Sequence, residues 1–423
     1  MTPIAYAALW IFVFAVPWET VIVIPGMAIM TRITGLIAAV LALLAVVVSG
    51  RARRPTAFHV WATLFVLWIL CDLMFFNNQW TKLPNKFFTF VQLLVVLWIV
   101  WEVATTRKQQ LGLMAAYVAG CYIAALDTVL VYKRFSGVLR RFAAGEADPN
   151  DLAMTLALGF PMAWYLGMTA ERPLIRWICR LYIPVGLLGV GLTGSRGGMV
   201  ASIIGLSIIP WTLTRISARN RALALILIML SGVVAIRYVP TTLFQRFATT
   251  SSDIEEGKVG GRLKLWVAGV KAFTYKPIVG YGPTTFKRAI DPYLYQQSQV
   301  AHNSYLSVLV EEGLVGFILF MLMITSAFFT IMKLPQMNRR FALVLFGTLL
   351  ITMLPLTWED RKQVWVVLAI LVGLTHAHVA EHIRARRMMS WPARVGPIRP
   401  VVPGRAARTI GAPFPRPPRD PGR

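Results

Sequence analysis

The chain of 423 residues is 57% hydrophobic and only 14% charged, and its mean hydropathy is +0.63. These values exclude an ordinary soluble domain and indicate an all-α polytopic membrane protein. The net charge of +25 comes from Lys and Arg in short loops and in a C-terminal tail, which favours contact with membrane lipid phosphates over nucleic acid binding. The cysteines, Cys71, Cys121 and Cys179, lie in apolar segments and predict neither a metal site nor a disulfide framework.

Apolar segments long enough to cross a hydrocarbon core of about 30 Å predict about twelve transmembrane helices. They are expected near residues 4–24, 32–49, 58–76, 86–104, 111–131, 151–170, 176–193, 198–214, 220–239, 303–332, 340–356 and 363–380. The first begins almost at Met1, without the basic region and small-residue cleavage site of a signal peptide, so it is interpreted as a spanning helix.

The loops predict the orientation, because short cytoplasmic loops are enriched in Lys and Arg. Cations follow the second and fourth spans, flank the loop after the sixth, and recur after the eighth and tenth spans and in the tail. Both termini are therefore expected in the cytoplasm, with the candidate site facing the periplasm. One loop departs from this pattern: residues 132–150 carry Lys133, Arg134, Arg140 and Arg141 on the predicted outer side.

Four regions are predicted along the chain: a first membrane helix bundle at 1–239, a large periplasmic loop at 240–302, C-terminal membrane helices at 303–383, and a disordered basic tail rich in Pro and Arg at 384–423. Within the loop, residues 262–275 have apolar positions at helical spacing. This amphipathic helix is expected either along the membrane interface or packed on its own loop.

The sequence TGSRGG, from Thr193 to Gly198, has the character of an anion site. The backbone amides of Gly197 and Gly198 at a helix N-terminus, with the planar donor group of Arg196, would suit a phosphate. A tight turn between helices, with Arg196 reaching toward lipid headgroups, is the alternative.

His302 and Asn303 begin the tenth predicted span. With an ordinary pKa near ~6.5, a histidine at the membrane surface can accept a proton from a sugar hydroxyl; the alternative is a structural histidine. The preceding loop adds a second cation, Arg262 in GGRLKLW, and a backbone turn at Gly280 and Tyr281 in PIVGYGPTTF.

Two acidic residues, Asp72 and Asp127, lie within spans toward their predicted outer ends. An ionisable residue inside a membrane segment is a functional candidate by default. They are expected either to orient Arg or His side chains or to form a structural pair.

Four segments in order, TGSRGGMVA, GRLKLWVAGVKAF, KPIVGYGPTTF and AHNSYLSVLVEEGLVG, resemble the signature of the O-antigen ligase and polymerase superfamily, and DPND at 148–151 resembles its upstream element. The resemblance implies a GT-C-type glycosyltransferase of the bacterial inner membrane that takes a glycan from undecaprenyl diphosphate without metal or cofactor. It also implies functional roles for Arg196, Arg262 and His302.

Under this resemblance, Arg196 and Arg262 would stabilise the diphosphate leaving group and His302 would be the base, with inversion at the anomeric carbon. Gly197 and Gly198 would assist at the diphosphate, and Asn303, Gly280 and Tyr281 would support the site. The expected acceptor is lipid A core or another glycan. A repeat-unit polymerase, a protein O-oligosaccharyltransferase, a lipid-linked glycan transporter and a non-catalytic scaffold remain alternatives.

Overall fold

A computed structural model describes residues 2–22, 30–76, 83–137, 141–213, 217–241, 260–294 and 299–390. Throughout these residues the regular elements are helices, as the composition predicts. The chain divides into a compact unit, Met1–Glu381, and a second unit that begins at His382. Of the predicted tail at 384–423, residues up to Ser390 continue the last helix, and the rest lies outside the described residues.

In chain order, the helices are α1 (Thr2–Ala15), α2 (Met30–Ser49), α3 (Ala57–Cys71), α4 (Leu83–Val103), α5 (Arg107–Phe135), α6 (Pro149–Thr169), α7 (Pro173–Thr193), α8 (Arg196–Leu206), α9 (Ile208–Leu213), α10 (Ala218–Tyr238), α11 (Gly260–Tyr275), α12 (Phe286–Leu294), α13 (Ser304–Ile331), α14 (Gln336–Thr352) and α15 (Lys362–Ser390).

Eight helices in the described ranges are long and apolar enough to cross a membrane. They are α2, α3 with the π-helical turn that follows it, α5, α6, α7, α8 with α9, α13 and most of α15. Shorter apolar helices occupy Thr2–Trp18 and Phe87–Val103. The polytopic helical architecture is therefore confirmed. The number twelve and the GT-C arrangement stay predictions, because the other predicted spans coincide with shorter or less apolar helices.

Helix α6 is the central helix of the bundle. Its residues from Leu152 to Gly167 are all buried, and they are apolar around the whole circumference, as a helix surrounded by other helices requires. It packs against α5, α7, α8 and α14. The hydroxyl of Tyr182 in α7 donates to the carbonyl of Leu156 over 2.7 Å. This packing fixes the N-terminus of α6, residues 148–151, beside the connection between α7 and α8.

Helix α13 is broken at Gly313, where φ is 64° and ψ is −169°. The break leaves carbonyl groups without helical partners, and the preceding loop supplies them. The amide of Tyr281 donates to the carbonyl of Val310 over 3.1 Å, and that of Gly282 donates to Glu311 over 2.7 Å. These backbone hydrogen bonds join the 277–282 segment to α13. They also satisfy carbonyl groups that would otherwise be buried without a hydrogen-bond partner at the break.

The carboxylate of Glu311 adds a second link at the same place. Its two oxygens accept from the backbone amides of Thr284, over 2.8 Å, and Phe286, over 3.0 Å, at the start of α12. Glu311 is 7% exposed, so these charge-assisted bonds are shielded from water. They hold the start of α12 against α13, which is a candidate membrane span.

We expect Gly313→Ala to lower the stability of the folded protein by about 1–3 kcal/mol, because only glycine adopts this backbone conformation readily. An added Cβ would also lie 2.3 Å from the carbonyl oxygen of Ile278. Thermal unfolding of the purified protein in detergent measures the change. Gly347→Ala in α14 is the matched control, since a Cβ there meets nothing within 4 Å. Equal unfolding temperatures for both variants would contradict the assigned role of the break.

Candidate functional site

The TGSRGG segment forms a turn that ends α7 and begins α8. Gly194 adopts the left-handed conformation, with φ 58° and ψ 28°, and closes α7. Ser195 then caps α8, its side chain accepting from the amide of Gly198 over 3.2 Å. Arg196 is the first residue of α8 and is half-buried. The predicted combination of a glycine turn, a helix N-terminus and an arginine is therefore present.

Both glycines after Arg196 permit a close approach between helices. A Cβ at Gly198 would lie 2.3 Å from the Cβ of Ala153 in α6. A Cβ at Gly197 would lie 2.7 Å from the Cε of Met154 and 3.1 Å from Pro355. The amide of Gly198 already donates to Ser195, so its contacts are those of close packing. A substrate role for the two glycines stays a prediction.

Arg141 connects this turn to the start of α6. Its Nε donates to the carbonyl of Thr193 over 2.8 Å, and its Nη2 donates to Oδ1 of Asn150, also over 2.8 Å. The same Oδ1 accepts from the hydroxyl of Ser195 over 3.0 Å. A planar guanidinium suits such a junction because its donors diverge in one plane. Arg141, one cation of the 132–150 loop, thus has a structural role: it links the end of α7 to the start of α6.

The DPND segment brings a further part of the chain to the site. Asp148 caps α6, and its Oδ1 accepts from the amide of Asn150 over 2.7 Å. Asp151 accepts from the indole nitrogen of Trp358 over 2.9 Å and lies 3.5 Å from the guanidinium of Arg361. The connection between α14 and α15 therefore contacts the start of α6 at the candidate site.

Sequence reasoning overlooked that connection. A signal for it was present, because the polar run WEDRK, from Trp358 to Lys362, separates two apolar segments. By span number this run falls at the same end of the bundle as His302. WEDRK and the TGSRGG turn are thus both polar segments at the predicted periplasmic end of the bundle.

The backbone around His302 is held on both sides. His302 adopts a positive φ of 46°, and its amide donates to Oγ1 of Thr357 over 3.1 Å. On the other side, the indole nitrogen of Trp266 in α11 donates to the carbonyl of Ala301 over 3.0 Å. A positive φ in a residue other than glycine persists only where surrounding contacts determine it. The imidazole, which is half-buried, is thus presented from a fixed backbone.

Charged side chains shift the pKa of His302 both downward and upward. Burial lowers the pKa of His302, and the positive charge of Arg262 lowers it further. The carboxylates of Asp148 and Asp151 act in the opposite direction and raise that pKa. Because the net change is downward, the imidazole is neutral at pH 7 and able to accept a proton.

Arg262, at the start of α11, is half-buried and shares one of these neighbours. Burial lowers the pKa of Arg262, whereas the carboxylate of Asp148 raises it. An arginine nevertheless remains positively charged in proteins. Arg262, His302 and Asp148 thus interact electrostatically. Arg196 lies at the same end of the bundle, because the next residue, Gly197, packs on Pro355 of the α14–α15 connection.

The predicted supporting residues have contacts within the protein. Asn303 caps α13, with its Oδ1 accepting from the amide of Leu306 over 3.0 Å. Gly280 is buried, has φ 77°, and belongs to the loop that pairs with α13. Tyr281 donates its hydroxyl to the carbonyl of Ala272 over 3.2 Å. These contacts fix the backbone around the site, and direct contact with a substrate stays a prediction.

Of the two acidic residues within spans, Asp127 holds the loop before α6, its Oδ2 accepting from the amide of Gly145 over 2.9 Å. Asp72 is fully buried in the π-helical turn after α3. The orienting roles considered for both residues stay predictions.

Comparison with known proteins locates a family domain on this site. Residues 181–321 match the family model described as O-antigen ligase. A Haemophilus influenzae protein (strain Rd), described as uncharacterized, is 26% identical over 172 residues, which cover 36% of this chain and 42% of that protein. The chain thus spans less than half the length of this relative. The matched residues 181–321 include Arg196, Arg262 and His302, and the resemblance of the chain to the O-antigen ligase and polymerase superfamily is confirmed.

Proposed function

We propose that this protein is a membrane glycosyltransferase that moves a glycan from undecaprenyl diphosphate to an acceptor hydroxyl, and that the acceptor is lipid A core, as in O-antigen ligation. One observation carries the proposal: His302 is half-buried within the family-matched segment, and burial and the positive charge of Arg262 both lower its pKa. A base next to a cation is the pair that transfer from a diphosphate to a hydroxyl requires.

In the proposed reaction, His302 takes the proton of the acceptor hydroxyl as the oxygen attacks the anomeric carbon. The bond between that carbon and the diphosphate oxygen breaks, and undecaprenyl diphosphate leaves with the bonding electron pair. Arg196 and Arg262 stabilise the negative charge that develops on the leaving group. Attack opposite the leaving group inverts the anomeric configuration. Diphosphate is an adequate leaving group with two cations nearby, so we propose a metal-independent reaction.

The proposed location is the bacterial inner membrane, with both termini in the cytoplasm and the site facing the periplasm. The distribution of Lys and Arg among the loops supports this orientation. The contacts of Arg141 explain one cation of the loop that departs from the rule. Membrane lipids and the lipid-linked glycan are the proposed partners.

A reconstitution experiment tests the proposal. The purified protein in vesicles is given an undecaprenyl-diphosphate glycan with lipid A core, with a second lipid-linked repeat unit, or with a Ser/Thr peptide. Glycan transfer to lipid A core alone supports the ligase. Laddering on the lipid-linked unit would instead indicate a polymerase, and peptide modification a protein glycosyltransferase. Movement of the lipid-linked glycan across the membrane without transfer would indicate a transporter.

The electrostatics of His302 predict opposite pH effects for two substitutions. Arg262→Gln removes a charge that lowers the pKa of His302, so the acidic limb of kcat/KM should move to higher pH. Asp148→Asn removes a charge that raises this pKa, so the limb should move to lower pH. Asparagine also preserves the cap of α6.

Initial rates measured across the pH range, relative to each variant's own maximum, separate these shifts from any general loss of activity. Shifts in the same direction for both variants, or none in either, would contradict His302 as the base.

A further inference from the structure

Helix α11 presents an apolar stripe away from the protein. Leu263, Val267 and Val270 recur at helical spacing and are 58%, 48% and 52% exposed. The opposite side of the helix is buried, with Leu265 at 5% and Ala272 at 0% exposed, and it packs against α12 and α13. One side of this amphipathic helix thus packs on its own subdomain, and the other side has no protein cover in the described structure. Its placement along the membrane interface stays a prediction.

The charges on α11 fit a negatively charged surface. Lys264 and Lys271 are exposed and follow Leu263 and Val270 in sequence, so both project beside the stripe on the same flank. The helix contains no acidic residue between Gly260 and Tyr275. An apolar stripe bordered by lysines is the pattern of helices that lie in the interface of bilayers containing anionic lipid.

The stripe continues onto a membrane-spanning helix. After α11 the chain exposes Ile278, whose carbonyl accepts from the amide of Val315 over 3.3 Å. Next to this contact, α13 exposes Leu314 and Ile318, at 45% and 48%, within a candidate span. Exposed apolar residues of α13 therefore continue into the segment that directly follows α11.

From the stripe, its lysines and this continuity, we propose that α11 lies in the headgroup layer of the bilayer. Leu263, Val267 and Val270 enter the boundary of the acyl chains, while Lys264 and Lys271 contact lipid phosphates. One consequence rests on the proposed function: Arg262, at the start of the same helix, is held at the depth where the diphosphate of a lipid-linked donor lies.

Spin labelling of the full chain in vesicles tests the docking. With Cys71, Cys121 and Cys179 replaced by Ser, single labels are placed at Val267→Cys and Val270→Cys, and at Glu146→Cys as a control. Glu146 is exposed in the loop before α6. In vesicles that contain phosphatidylglycerol, we expect the ratio of oxygen to nickel-chelate accessibility to be several-fold higher at 267 and 270 than at 146.

The lysines provide a second comparison. Lys264→Gln with Lys271→Gln should lower the ratio in phosphatidylglycerol vesicles and leave it nearly unchanged in vesicles of neutral lipid. A ratio at 267 and 270 equal to that at 146 would overturn the proposal. Labels shielded from both reagents would indicate a protein partner and would also overturn it.

If the cysteine-free protein fails to fold, a photoreactive benzoylphenylalanine at Val267 in the native background replaces the label. Lipid adducts then support the docking, and their absence contradicts it. None of these measurements requires a donor or acceptor glycan, so their outcome is independent of the test of glycan transfer.

Discussion

His302→Asn is expected to reduce the rate of glycan transfer by about 10²- to 10⁴-fold, the usual contribution of a general base. Asparagine tolerates the positive φ of 46° found at this position better than most residues, so the substitution removes the imidazole without straining the turn. The contact from the backbone amide to Thr357 is retained. Transfer from a lipid-linked donor in vesicles measures the effect, and the unfolding temperature shows whether the fold is intact.

His378→Asn is the matched control for this variant. His378 is also half-buried, but it lies in the C-terminal half of α15, where its Nδ1 is 3.4 Å from the side-chain nitrogen of Asn338. We expect this substitution to leave transfer within a few-fold of the unsubstituted protein. Full activity in His302→Asn, or equal losses in both variants, would exclude His302 as the base.

Arg196→Ala should reduce kcat by about 10²- to 10³-fold, as expected when a group that stabilises developing negative charge is removed. Arg196 begins α8, where the helix dipole adds positive potential to its own charge. Arg196→Lys should recover part of the activity, because it restores the charge but not the paired donors. Measuring kcat and KM separately shows whether the loss falls on the leaving group or on ground-state binding.

Arg172→Ala serves as the control for the loss of an arginine at a helix start. Arg172 precedes α7, is exposed, and its side chain does not cap that helix. It lies at the end of α7 remote from the TGSRGG turn. Unchanged kcat in Arg172→Ala with a large loss in Arg196→Ala would support the assignment; similar small effects would contradict it.

The starts of the helices that form the site were predictable within a few residues. α6, α8 and α13 begin at Pro149, Arg196 and Ser304, and the corresponding spans were expected from 151, 198 and 303. Hydropathy located the segments, and the residues just before them, Asp148 among them, are strong caps. Local chemistry is sufficient for such boundaries because caps act within one turn of the helix.

The contacts between these helices were not predictable in the same way. Arg141 stood out only as a cation on the unexpected side, and its bonds to Thr193 and Asn150 depend on how α6 and α7 pack. The bond from Trp358 to Asp151 joins residues more than two hundred positions apart. Contacts at such separation depend on the tertiary fold, which helical periodicity does not predict.

The break in α13 was hidden for a different reason. The EEGLVG segment continues an apolar helical pattern, and a single glycine within such a pattern is often tolerated. Only the approach of Ile278 to Gly313, where a Cβ would clash with its carbonyl, shows why the helix must open there.

The same break bears on hydrophobic mismatch. An uninterrupted α13 of 28 residues would measure roughly 42 Å at the α-helical rise, well beyond the ~30 Å of a hydrocarbon core. The part from Leu314 to Ile331 measures roughly 27 Å, which nearly matches that thickness. The part after Gly313 can therefore span a hydrocarbon core with little mismatch. The residues before Gly313 are held by the 277–286 loop and directly follow His302.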